Sequence, residues 1–162
     1  FELNQEFIVL FAGVVHEHKG LEVLARAISE LSAKVVLLVV GPSDQESQRI
    51  LARCRRQLGQ RLHVLPSQPL NRMPSFLVAA DMVVIPSLST LVTEYQIPTK
   101  LYHAMAAGKP VAVSDIGDMS EILGDDGLVF RAGDVDGCKE AIRRVVENPA
   151  LETAGRKGTA TL

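Results

Sequence analysis

A chain of 162 residues, 47% hydrophobic and 22% charged, suits one domain with a sizeable core and is expected to belong to the soluble globular class. Its formal net charge of -2 gives no electrostatic case for nucleic acid, and no apolar run approaches the roughly 18 residues that a membrane span needs. Cys54 and Cys138 fall on predicted helices without metal-ligand spacing, which points to buried or spectator thiols in a reducing compartment.

Residues 6–15 carry FIVLFAGV, a continuous apolar run expected of a strand covered on both faces, with Gly13 where backbone must approach something closely. Leu21, Leu24, Ala25, Ile28 and Leu31 recur at helical spacing. Val35–Val40 is a second apolar strand ended by Gly41 and Pro42. Ser43 or Asp44 can cap the helix carried by Ile50, Cys54 and Leu58. Leu62–Leu65 is a short strand closed by Pro66. Asn71 is the expected cap of a helix with Met73, Phe76, Leu77 and Ala80 inward, and Met82–Ile85 is a fourth strand. Residues 86–97 form the longest stretch without periodicity, as functional loops often do.

Pro98 suits the first position of a helix, because it has no N–H to leave unpaired there. Leu101, Ala104, Met105 and Gly108 give that helix one apolar face, and Gly108 ends it. The turn at Lys109 and Pro110 leads into a fifth strand over 111–113. Residues 116–123 are predicted helical and 127–130 a sixth strand. Asp134 is placed to cap a last helix with Cys138, Ala141, Ile142, Val145 and Val146 inward. Residues from about 150 to 162 have little to bury and are expected to fray.

Strands that alternate with helices and read apolar throughout imply an α/β, Rossmann-like, doubly wound parallel six-stranded sheet. Ligands in such sheets bind beyond the carboxyl ends of the strands, at the switch point. For the order 3-2-1-4-5-6 that point lies between strands one and four, where the loops begin at Gly13 and Pro86. The helix after Pro98 aims its free N–H groups and positive dipole end at the same region, which suits an anion such as a phosphate. Lys100 and His103 share its polar side. His16 and His18, two residues apart in a turn without a third ligand nearby, are weak evidence for a metal. Arg49, Arg53 and Arg56 form a basic stripe read as a solvated helix face. Neither a glycine-rich dinucleotide fingerprint nor a nucleophile elbow is present.

The stretch IPTKLYHAMAAGKPVAVSDIGDMSEIL resembles the signature of the C-terminal half of group 1 glycosyltransferases. FAGVVHEHKGLEVLARAI, VVLLVVG and SFLVAADMVVIPS resemble that family's first strand, turn and helix, its second strand, and its third helix with the fourth strand, in order. The resemblance implies a GT-B half-domain and a retaining, hexosyltransferase-type enzyme. Such an enzyme moves a sugar from a nucleoside diphosphate sugar to an acceptor hydroxyl, with no metal and no cofactor besides the donor. It implies catalytic roles for Lys19 and Glu94 and donor contacts from Gly13, Lys19, Thr99, Lys100, Leu101 and His103. Glu121 matches a recurrent family glutamate.

Two positions depart from the family. Val14 stands where an arginine is usual, with Lys100 a candidate substitute, and His103 stands where the second glutamate of a pair would hold the ribose. The family also implies an acceptor-binding N-terminal domain, absent from these residues, without which the domain is expected to be inactive. The expected setting is cytoplasmic, with peripheral contact at the inner face of a membrane open. The rival readings are a non-catalytic nucleotide-sugar-binding or partner module, and a sugar-nucleotide epimerase or hydrolase of the same architecture.

Overall fold

The computed structural model describes residues 6–41 and 44–148. Six parallel strands form one sheet in the order β3-β2-β1-β4-β5-β6, the expected doubly wound arrangement. They are β1 (Phe7–Ala12), β2 (Val35–Val40), β3 (Leu62–Leu65), β4 (Met82–Ile85), β5 (Val111–Ser114) and β6 (Leu128–Phe130). The helices are α1 (Leu21–Ser29), α2 (Gln45–Leu58), α3 (Met73–Ala79), α4 (Leu91–Glu94), α5 (Thr99–Ala106), α6 (Met119–Leu123) and α7 (Val135–Glu147).

All six residues of β2 and all four of β4 are buried, because helices cover both faces of the sheet. The alternation of side chains along β1 divides the core in two. Val9 and Phe11 face the layer of α1, α2 and α7, whereas Leu10 and Ala12 face that of α3, α5 and α6. Burying each large aliphatic side chain is worth about 1.5–3 kcal/mol, and both layers are filled by fully buried ones, among them Leu24, Ile28, Leu101 and Met119.

Several boundaries differ from expectation for local reasons. Asn71 does not cap α3; it lies in a 3-10 turn over Leu70–Arg72, and Pro74 in the first turn of α3 supplies the start. Pro98 is the residue before α5 rather than its first, with ψ at 123° and its carbonyl accepting from the amide of Leu101 at 2.9 Å. The aperiodic 86–97 stretch contains α4, closed by Thr90 and Thr93, whose side chains each bond the other's amide. Residues 116–118 precede α6 rather than belong to it, and Val146 faces outward, 36% exposed. Asp44 caps α2 by accepting from the amide of Ser47 at 2.7 Å. Pro42, Ser43 and the stretch expected to fray lie outside the described residues.

Candidate functional site

The site is built where β1 and β4 end. Gly13 leaves β1 with φ at +115°, a conformation that a side chain disfavours, while its amide donates to the carbonyl of Val40 at 2.8 Å. The chain then makes a 3-10 turn over Glu17–Lys19 and enters α1 through Gly20. At φ of +69°, Gly20 packs so closely on the carbonyl of Pro86 that an added Cβ would overlap it. The amide of Leu88 donates to the carbonyl of His18 at 2.9 Å, so the loops after β1 and β4 are joined directly.

Side chains of α1 and α2 hold the same turn from behind. Glu46 accepts from the amide of Glu17 at 3.1 Å and lies 2.8 Å from His16 Nδ1. Arg53 donates to Glu17 at 2.6 Å and, through two nitrogens, to both oxygens of Glu22 at 2.7 and 2.8 Å. Arg53 is therefore a half-buried partner of the turn, unlike the exposed Arg49 and Arg56. The rings of His16 and His18 stack with centroids 5.6 Å apart.

In front of this turn lies a cleft of about 310 Å³. Ala12, Gly13, Val14 and Lys19 line one side, and Gln96, Ile97, Pro98, Thr99 and Lys100 line the other, with no carboxylate among them. The Lys19 ammonium donates to Oε1 of Gln96 at 3.1 Å. The Lys100 ammonium lies 4.6 Å from the centre of the Phe11 ring and close against Gly13. Among the described residues, neither lysine forms an ion pair. Burial, and then the charge of Lys19, pull the pKa of Lys100 down to about 8. Burial lowers that of Lys19, and burial followed by the charge of Lys19 lowers that of His18. The first amides of α5 border the cleft, where no earlier helical carbonyl can satisfy them. Two ammonium groups with no acid between them, beside a helix start, make a receptor for a compact polyanion.

Of the residues singled out in the sequence, the structure brings Gly13, Lys19, Thr99 and Lys100 into this cleft. Leu101 turns its fully buried side chain into the core. Glu94 is exposed on α4, outside the cleft lining, where its carboxylate accepts from Ser89 Oγ at 2.7 Å. His103, one turn further along α5, lines a separate apolar groove of about 350 Å³ shared with Leu70, Met73, Leu77 and Val78. Glu121 is exposed on α6. Gln96, the partner of Lys19, carried no signal, because it sits in a stretch without periodicity.

The family described as glycosyl transferases group 1 matches residues 6–148. The chain belongs to the group 1 glycosyltransferases. It corresponds to their C-terminal half-domain. Over 138 residues this glycosyltransferase chain is 36% identical to the D-inositol 3-phosphate glycosyltransferase of Nocardia farcinica, a match covering 78% of the chain and 30% of that protein. It is 26% identical over 157 residues to the 2-deoxystreptamine glucosyltransferase of Streptomyces kanamyceticus, covering 93% of the chain and 39% of that protein. The chain thus spans about a third of the length of these curated relatives.

Among solved structures, sucrose-phosphate synthase from Thermosynechococcus elongatus superposes with a TM-score of 0.77 at 28% identity, over 97% of this chain and 41% of that one. Anabaena HepE in complex with UDP-glucose superposes at 0.84 with 20% identity, over 98% and 44%. The C-terminal domain of a group 1 glycosyl transferase from Francisella tularensis superposes at 0.74 with 20% identity, over 95% and 82%. The last two, at that identity, show the shared fold alone. Among the described residues, no helix of this half-domain is long and apolar enough to cross a membrane.

Proposed function

We propose that the chain is the donor-binding half of a retaining glycosyltransferase that takes a hexose from a nucleoside diphosphate sugar. The observation that carries this reading is the acid-free cleft at the switch point, where the ammonium groups of Lys19 and Lys100 face one space beside the start of α5. A diphosphate gains negative charge as its bond to the sugar breaks. Fixed cations favour that leaving state over the intact donor, and that difference is what lowers the barrier. The turn that carries Lys19 is braced by Arg53 and Glu46, so its ammonium is set before the donor arrives. None of the cleft-lining side chains is a carboxylate or hydroxyl nucleophile apart from Thr99. This agrees with a same-face mechanism in which the departing phosphate helps to deprotonate the acceptor. The neighbour described with UDP-glucose makes uridine diphosphate the first nucleotide to try. The acceptor would dock on a further domain, and transfer would need that domain to close the cleft and exclude water.

Titration calorimetry with uridine, uridine diphosphate and the corresponding purine compounds tests the reading. Diphosphates are expected to bind at least tenfold more tightly than their nucleosides. Lys19→Ala is expected to remove about one to two decades of diphosphate affinity, since a charge-assisted contact is worth about 1.5–3 kcal/mol, and to leave nucleoside binding unchanged. Equal losses for nucleoside and diphosphate would refute the assignment of Lys19.

A further inference from the structure

The turn after β1 brings a single formal cation, Lys19, to the cleft. The residue that follows Gly13 is Val14, which lines the cleft with an apolar side chain. On the opposite wall Lys100 sits in an unusual place for a lysine. It is half-buried in the first turn of α5, its ammonium rests on the face of Phe11, and no carboxylate is among the described residues that line the cleft around it. It lies against the end of β1: a Cβ built at Gly13 would meet Lys100 Nζ at an ordinary contact distance of 3.8 Å. A surface lysine would turn its strongly hydrated head to water. This one rests on an aromatic face and shares the cleft with the ammonium of Lys19.

We propose that Lys100 is the second diphosphate cation of this site and that it takes up a proton as the diphosphate binds. The inference rests on the donor-binding reading and adds to it which residue supplies the second charge and how that charge depends on occupancy. The groups that face Lys100 are few. Lys19 and His18 come from the turn after β1; Lys19 opposes its charge, whereas burial and Lys19 hold His18 below its ordinary pKa, and Gln96 from the loop before α5 is neutral. In the free cleft, burial and Lys19 hold Lys100 near a pKa of about 8. A bound diphosphate places negative charge between the two ammonium groups and reverses the balance, so the proton stays on Lys100 at higher pH. Above about pH 8 binding then draws one proton from solvent onto Nζ. Below about pH 7 the amine is already charged, and no proton moves.

The test uses this 162-residue chain with inorganic pyrophosphate as the probe. Affinity is measured by calorimetry at pH 7 and 8.5 in pairs of buffers that differ in ionisation enthalpy, which counts the protons taken up. Lys100→Met is expected to weaken pyrophosphate binding at pH 7 by about 10- to 100-fold. At pH 8.5 the parent chain is expected to take up about three quarters of a proton more than the variant, the fraction of an amine of pKa about 8 that is neutral there. Lys100→Arg, charged at every pH used, is expected to keep the affinity and lose the pH dependence.

Equal affinity of Lys100→Met and the parent, equal proton uptake, or failure of the parent to bind pyrophosphate would each overturn the proposal. If pyrophosphate binds through Lys100 but a nucleoside diphosphate binds no better, the donor reading fails while the role of Lys100 as an anion-binding cation stands.

Discussion

Lys100→Met should make the protein more stable while it removes a ligand contact. In the free protein the amine has dropped from its ordinary pKa of 10.5 to about 8, which corresponds to about 3 kcal/mol of cost to the charged form. Contact with the Phe11 ring returns about 1–2 kcal/mol of that, and methionine keeps the apolar part of the packing. The net gain at pH 7 is then about 1–2 kcal/mol, or about 3–6 °C in melting temperature for a domain of this size. The sign of the pH dependence is fixed by linkage. Because the folded pKa lies below the unfolded one, the unfolded chain binds more protons between about pH 8 and 10.5, so the contribution of Lys100 to stability rises with pH there. Below about pH 8 the cost is complete and flat. Urea unfolding of parent and variant from pH 7 to 10 should therefore show a difference that favours the variant at pH 7 and shrinks as pH rises. A variant less stable than the parent at pH 7, or a gap that does not change with pH, would refute the account of Lys100 as a buried, unpaired cation. This behaviour would be one instance of a binding site that lowers stability to hold charge ready.

Other outcomes follow from the same geometry. Arg53→Ala is expected to weaken diphosphate binding several-fold without affecting nucleoside binding, because Glu17 loses its partner and the turn carrying Lys19 loosens; unchanged diphosphate affinity would count against the bracing role. Gly20→Ala is expected to cost about 3 kcal/mol or more by chemical denaturation, since the new methyl group meets both a positive φ and the Pro86 carbonyl; a loss below about 1 kcal/mol would mean the two loops are not locked together. Cys54 and Cys138 are buried, and burial pushes both thiols up to about 12, so neither should react with a thiolate-directed alkylating agent in native buffer at pH 8, and both should react in urea.

The order of strands and helices was legible in the chain because fully buried parallel strands read as unbroken apolar runs and helices as 3.6-residue stripes. Val35–Val40 and the Ile50, Cys54 and Leu58 stripe show this directly. From that order the right-handed crossover rule leaves little choice of topology, and the switch point follows from it. Of the four cleft residues, Gly13 and Lys100 lie at a strand end and a helix start that the topology brings together, whereas Lys19 and Thr99 were named by the family resemblance.

What the sequence could not carry was direction in space. Lys100 and His103 are three residues apart on one helix, yet one faces Phe11 and the cleft at the switch point while the other lines the groove beside α3; that divergence depends on how α5 is rotated against the sheet. Nor does any local pattern announce that Arg53, on a stripe that looks solvated, reaches across 36 positions to Glu17, or that Gln96 meets Lys19 across 77. The pKa of Lys100 is likewise a property of the fold. Desolvation and the approach of Lys19 arise only when the start of α5 meets the end of β1 and the turn after it, so the charge state of the site was decided by tertiary structure and not by the residues that compose it.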